Sequence, residues 1–561
     1  MGEPSDTDRA MRRFTLTSLP LITSLVLAAP READACGGTF CDGGGPQVMP
    51  VDQRGENILF VREGDTIEAH IQIQYEGDAA SFAWLVPMTA VPEVEVGSEP
   101  LFRAMLAATV PTFTIDQRTD GNCGPRGGGG CADAGAIRLQ SGKNDESAEG
   151  GGDVEPDVVV KGTAGAFEYA VLDGGTTDGI IQWLADNGYA GDDEAAPILE
   201  EYLADDFVFV AFKLRGGAGI DEIHPVVLRY QGTEPCVPIR LTRIAATEDM
   251  GIRTFFLGEH RTVPTNYRHV LINPIQIDWT GLAANYEDVV TLAVDGDEAS
   301  GHAFVTEYAG DSTIVDTSAV EFGGLDGSRF VDMRANDVVA ELERQGLIAC
   351  EIGVSCILLH PLVGSLLEQF FPTPSGSSPE QWWANLGADP VLDTNEWESE
   401  VFAALFEERI AAPADHAGDL LRARPHLTRM FTTMSPAEMT EDPMFHENRE
   451  LGPVSNQFSA TIVSDCDGPT HVELEDGRII RYDENGRAPV FDGMPYALSV
   501  EEVPAVGAPM TLIDNAASID ETLDAWNDAQ DGCGCAVVRW RIDGLMMIAL
   551  VALGLRARRR Y

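Results

Sequence analysis

Alternation of apolar and polar residues is clearest near the start of the chain. Ile58-Leu59-Phe60-Val61 is an apolar run, Glu63-Gly64-Asp65 turns the chain, and Thr66 to Tyr75 alternates strictly. Ile67, Ala69, Ile71, Ile73 and Tyr75 then share one face, so residues 57–75 predict a β-hairpin with one buried side. Ser81 to Val86 predicts a buried strand ended by Pro87, and Pro100 opens a short helix over Leu101 to Thr109. Phe167–Leu172 and Asp206–Leu214 read as strands. Between them, Thr176–Asn187 and Ala195–Leu203 carry helical spacing and form a small αα insertion. Further strands are expected at Ile223–Tyr230, Ile239–Ala245, Thr254–Leu257 and His269–Ile272, and also at Asp288–Val294 and His302–Tyr308.

From Asp337 the period lengthens. Val338, Val339, Leu342 and Leu347 form one helical face, and Pro361–Phe371, Pro379–Leu386 and Glu396–Ile410 predict further helices. Ser435-Pro436-Ala437-Glu438 has the pattern of a capping box that opens another helix. Asn456–Cys466, His471–Leu474 and Arg478–Arg481 return to strand. The expected fold is therefore α+β: an antiparallel β-rich domain over 36–335 with the αα insertion, then a mainly helical region with terminal strands over 336–512. Residues 122–154 are rich in Gly, Asp and Ser and read as a flexible surface insertion, and 513–531 as an acidic stalk.

Charge narrows the partners. The 561 residues hold 37 basic and 91 acidic side chains, a net charge of −54, with lysine only at positions 143, 161 and 213. Such a chain repels nucleic acid and anionic lipid. The acids are spread along the whole length, which fits adaptation to salty surroundings better than a dedicated Ca²⁺ surface.

Both termini point to export. Met11-Arg12-Arg13, an apolar stretch from Phe14 to Ala29, and Ala33-Asp34-Ala35 before Cys36 form a signal peptide over 1–35, with signal peptidase cutting between Ala35 and Cys36. At the other end, Gly532-Cys533-Gly534-Cys535 precedes Ala536–Leu555, about 30 Å of helix, and then Arg556-Ala557-Arg558-Arg559-Arg560-Tyr561. Arginines on the cytoplasmic side leave the bulk of the chain outside. This tail, 532–561, resembles the myxobacterial C-terminal sorting signal. The resemblance implies processing at Cys533 and Cys535 by a rhomboid-like or CAAX-protease-like sorting enzyme, and a place at the cell envelope or surface.

The eight cysteines between these ends admit about a hundred pairings. Cys36 with Cys41, Cys123 with Cys131, and Cys350 with Cys356 are close enough in sequence to close locally. Elimination leaves Cys236 for Cys466. No Cys-x-x-Cys occurs and no His stands at ligand spacing from these thiols, so a zinc site is not expected.

Cys36-Gly-Gly-Thr-Phe-Cys41, Asn57-Ile58-Leu59-Phe60, Ile71-Gln72-Ile73-Gln74-Tyr75 and Phe82-Ala83-Trp84-Leu85-Val86-Pro87 resemble the opening of a bacterial family, domain of unknown function 2330. The resemblance continues in Gln182-Trp183-Leu184, Cys236-Val237-Pro238-Ile239-Arg240-Leu241, Leu427-Thr428-Arg429-Met430 and Glu438 to Pro443. These motifs are structural, and the family carries no established activity.

Catalytic patterns are weak. Gly353-Val354-Ser355-Cys356 lacks the second Gly of a nucleophile elbow. His446-Glu447 lacks the second His of a zincin. His224 and His360 each precede a Pro and read as turn or core residues. Asp295-Gly296-Asp297-Glu298 and Asp465-Cys466-Asp467-Gly468 do not fit an EF-hand, and Trp382-Trp383 reads as packing. No catalytic residue, metal ligand or cofactor is assigned. The expectation is an exported, envelope-anchored, non-enzymatic protein serving adhesion, binding or envelope structure. The alternative is an extracytoplasmic hydrolase gathering distant groups, such as His269 with Asp278 or His302 with Glu307.

Overall fold

The computed structural model describes residues 52–76, 82–120, 155–188, 195–216, 218–296, 298–351, 355–385, 392, 394–465, 469–483 and 485–531. Ten strands make the main sheet. In spatial order they are β22 (Met510–Asp514), β21 (Ala497–Glu502), β12 (Arg268–Ile272), β13 (Ala303–Asp311), β16 (His426–Met434), β10 (Ala246–Gly258), β1 (Asp52–Glu63), β2 (Thr66–Glu76), β9 (Val226–Gln231) and β4 (Glu93–Val96). A second sheet runs β3 (Ala83–Met88), β8 (Val208–Leu214), β7 (Phe167–Asp173), β6 (Asp157–Ala164). A third runs β20 (Ile479–Arg481), β19 (His471–Leu474), β18 (Gln457–Asp465), β5 (Thr112–Asp120). Two small pairs remain: β11 (Thr262–Pro264) with β17 (Phe445–Glu447), and β14 (Ile348–Glu351) with β15 (Ser355–Leu358). Most pairs are antiparallel, but β1 with β10, β12 with β13 and β5 with β18 are parallel.

Alternation along β1 and β2 separates the two faces of the main sheet. Ile58, Phe60, Ile67, Ala69 and Ile71 pack against Trp84, Val86, Phe167, Val210 and Phe212 of the second sheet. That second sheet is covered on its far side by α2 (Thr177–Asp186) and α3 (Ala195–Ala204), through Ile180, Leu184, Ile198, Leu199 and Tyr202. The opposite face of the main sheet carries Leu59, Val61, Phe255, Leu257 and Leu427. It lies under α1 (Glu99–Thr109), α6 (Ser318–Glu321) and α11 (Ala412–Ala423). The order of layers is helix, sheet, sheet, helix, with one apolar seam between each pair. The short helix α4 (Ile239–Thr242) leads into β10. α5 (Tyr286–Val294) packs on β12, β13 and β21. A separate helical cluster contains α7 (Val338–Arg344), α8 (Leu362–Glu368), α9 (Pro379–Ala384) and α10 (Ser399–Phe406) around Phe330, Leu342, Leu366, Trp383 and Phe402.

The predicted hairpin, αα insertion and helices α7 to α10 stand where the pattern puts them. Several expectations change. β3 runs through Pro87, which costs little because β3 is an edge strand. Residues 239–245 start with a helical turn instead of a strand, because the Asp442 carboxylate accepts both the Arg240 backbone N–H (3.0 Å) and its guanidinium Nε–H (3.0 Å). Residues 288–294 are helical: Val289, Val290, Ala293 and Val294 bury one helical stripe. No helix follows Ser435. The Ser435 hydroxyl is engaged by Asp249, so only the Glu438 half of the capping box forms, at 2.8 Å on the Ser435 N–H.

The boundary expected at 335/336 is not a break in the sheet, since β16, β21 and β22 lie beyond it in sequence yet belong to the main sheet. Nor is 513–531 a stalk. Its end is α12 (Ala516–Asp531), whose Ile519 and Leu523 are buried against the third sheet and whose Trp526 indole donates to the Arg481 carbonyl at 2.7 Å. Three apolar residues at helical spacing suffice to dock an otherwise acidic helix. Among the described residues no helix is long and apolar enough to cross a membrane. The signal peptide, the insertion at 122–154 and the tail 532–561 lie outside them.

β16 sits between β10 and β13 and carries the most deeply buried ion pair, Arg429 with Glu307 (Nε to Oε2, 2.5 Å). Thr306 faces Met430 and Tyr308 faces Arg429, so Glu307 is the extra residue of a β-bulge that turns its carboxylate toward the guanidinium. Arg429 Nη1 also reaches the Leu106 carbonyl (3.3 Å) and Thr109 Oγ1 (3.4 Å), tying α1 to the sheet. Removing one partner strands a buried charge. Arg429→Met alone is expected to cost about 3–5 kcal/mol, and Arg429→Met with Glu307→Leu markedly less. Urea midpoints of the single and double variants check this.

Candidate functional site

The second face of β2 is polar where its neighbours are apolar. Because side chains alternate, Glu68, His70 and Gln72 point together toward α1 and α11. Gln72 accepts from Asn57 Nδ2 (2.7 Å) and donates to Glu99 at the start of α1. Glu68 Oε1 accepts from two imidazoles, His70 Nε2 at 2.7 Å and His416 Nε2 at 2.5 Å. Glu68 Oε2 accepts from Arg229 Nε (3.1 Å) and Nη2 (2.9 Å) on β9. The two rings lie nearly parallel, with centroids 6.0 Å apart. A π-helical turn, Glu407–Ala411, immediately precedes α11, the helix that supplies His416. Such turns recur at functional sites.

Burial opposes ionisation of Glu68, but hydrogen bonds from His416 and His70 outweigh it and hold the carboxyl far below its ordinary value. The hydrogen bond to Glu68 raises His416, against partial burial. The His70 side chain is only 1% exposed and its Nδ1 has no protein partner. A cleft of about 530 Å³ opens beside the cluster, lined by His416, Arg229, Glu95, Glu408, Thr163 and Pro413, among others.

Four other histidines, at 224, 360, 269 and 302, are committed elsewhere. His224 Nδ1 donates to the Pro225 carbonyl (2.8 Å) and Nε2 accepts from Ala166 (3.1 Å). Burial lowers its pKa to about 4. Gly165, at positive φ, leaves room for that ring, since a Cβ there would lie 2.2 Å from Nε2. His360 accepts the Leu362 N–H (3.2 Å) and is lowered to about 3 by burial. His269 meets Thr306 (2.9 Å), Arg261 and Glu501, whereas Asp278 caps its own turn at Thr280 and Gly281. His302 bonds Thr440 (3.0 Å) while Glu307 holds Arg429. Neither pair suggested for a hydrolase is therefore made. Trp383 packs in the helical cluster.

Cys350 and Cys356 form a disulfide across β14 and β15. Cys236 is a free thiol, and Cys466, its expected partner, lies outside the described residues. Its backbone bridges to Met444, and desolvation and then the Asp442 charge push the thiol well above its ordinary value. Ala35, Cys36, Cys41, Cys123, Cys131, Cys466, Cys533 and Cys535 lie outside the described residues.

The sequence pattern did not mark the Glu68–His70–His416 cluster. Glu-x-His on a strand whose neighbours are apolar was the available local signal; His416 offered none.

Layered helices and sheets with a buried carboxylate–imidazole–guanidinium knot define a mixed α and β protein. Residues 30–346, more than half the chain, match the family described as "Uncharacterized protein conserved in bacteria (DUF2330)", and the chain belongs to it. No curated protein and no solved structure matches. The matched segment contains Glu68, His70 and Arg229 but not His416.

Deleting the carboxylate leaves Arg229 and both imidazoles without their acceptor. Glu68→Ala is expected to cost about 3 kcal/mol or more, and Glu68→Gln, which keeps an acceptor oxygen, about 1–2 kcal/mol. Denaturant unfolding of both variants measures the difference.

Proposed function

We propose that this is an exported protein, held at the cell envelope through its C-terminal segment, that acts by binding, adhesion or structural support and not by catalysis. The observation that carries the proposal is the Cys350–Cys356 disulfide, because such bonds persist in oxidising compartments outside the cytoplasm. The Ala33-Asp34-Ala35 cleavage pattern and the tail, similar to a myxobacterial sorting signal, agree with it. So does the large acid excess, which suits an exposed, soluble body and disfavours nucleic acid. In this reading signal peptidase and a tail-processing sorting protease are the processing partners, and α12 brings the folded body to Asp531, one residue before Gly532.

The second reading, an extracytoplasmic hydrolase, draws on the Glu68–His70–His416 cluster beside its cleft.

Mass spectrometry and fractionation in the native host test the first reading. The mature chain is expected to begin at Cys36 and to have lost Arg556–Tyr561, while Cys533→Ala with Cys535→Ala keeps those residues and stays in the inner membrane. Retention of residues 12–35 would refute export by cleavage. A wild type and double variant of equal mass in the same membrane would make the tail an ordinary anchor. Hydrolysis abolished by one point substitution would favour the second reading.

A further inference from the structure

We infer that Glu68, His70 and His416 form a binding site for one divalent transition-metal ion of the zinc type. The inference is independent of where the protein resides. Their donor atoms, a carboxylate oxygen and two imidazole nitrogens, all lie within 4.8 Å of one another, although two come from β2 and one from α11. Two His and one Glu are a donor set that zinc takes with a fourth position left open. Ligand atoms around a tetrahedral ion stand about 3.3 Å apart when the bonds are about 2.0 Å. The Glu68–His distances of 2.7 and 2.5 Å would need to widen by less than 1 Å around the ion.

Two further observations favour an ion over a plain hydrogen-bonded tie. Arg229 holds Glu68 Oε2, leaving Oε1 to face both rings, which is the arrangement an outer partner gives a ligating carboxylate. His416 is 35% exposed and lines the cleft, so a fourth ligand could approach from solvent. Glu93 and Glu95, each 3.6 Å from Arg229, offset the added positive charge.

The test uses the full chain carrying Cys533→Ser and Cys535→Ser, which removes the tail thiols as rival ligands. After chelator treatment it is titrated with Co²⁺, followed by visible d–d absorption, and with Zn²⁺ in competition. One equivalent of tetrahedral Co²⁺, displaced by Zn²⁺, is expected. His416→Ala should weaken binding by more than the roughly 100-fold that loss of an outer partner costs, with an unchanged circular dichroism spectrum. If His416→Ala does not fold, Glu68→Gln, which keeps the hydrogen-bond acceptor but loses the charge, is expected to show the same loss. Absence of tetrahedral Co²⁺ absorption in the parent chain overturns the proposal. So does undiminished affinity in a folded His416→Ala or Glu68→Gln variant.

Discussion

The placement of β16 inside the main sheet, fixed by the buried pair between Arg429 and Glu307, is the constraint on which the rest of this structure depends. β16 pairs with β10 on one side and β13 on the other, so it joins two groups of strands that have no other ladder between them among the described residues. A buried guanidinium is tolerated only where its charge and donors are met. Here the bulge at Glu307, the Leu106 carbonyl and the Thr109 hydroxyl meet them together. One side chain thus sets the register of a central strand and the seat of α1.

The same placement builds the cluster around Glu68. α11 ends at Ala423 and β16 begins at His426, so little chain separates them. Once β16 is in the sheet, α11 must fold back over the adjacent face, where Ala417 and Leu421 bury against Leu59, Phe255 and Leu427. His416 precedes Ala417 and is carried to Glu68. The family match stops at residue 346, before either element. The matched segment is therefore not a self-sufficient sheet. It lacks the strand between β10 and β13 and the third member of the imidazole–carboxylate cluster.

What could be read from the sequence follows from how many faces of each element are buried by apolar groups alone. The hairpin of β1 and β2 was legible because one face alternates cleanly. α2, α3 and α7 were legible because each has one apolar stripe. β16 reads His-Leu-Thr-Arg-Met-Phe-Thr-Thr-Met, and the sequence pattern did not show it as a strand. Both of its faces are buried, and Thr428, Arg429, Thr432 and Thr433 are among the buried groups, so polarity carries no alternation. The Val-rich run at 289–294 misled in the opposite sense, since β-branched residues can fill a helical stripe when a sheet covers it. Glu68 and His70 were visible as letters, but their meaning came from a helix nearly 350 residues away in the chain.

The parallel pairing of β1 with β10 has a kinetic consequence. Phe60 lies beside Phe256, Phe255 beside Arg429, and Val270 beside Val500, so each of these three steps across the sheet closes a very long loop. Such pairings are slow to form because the chain loses loop entropy before it gains contacts. In a polypeptide delivered N-terminus first, β1 and β2 can close early as a hairpin, but the sheet waits with open edges until residue 514 arrives. The acidic side chains spread through the sequence would keep that long-lived intermediate apart from its copies by charge repulsion.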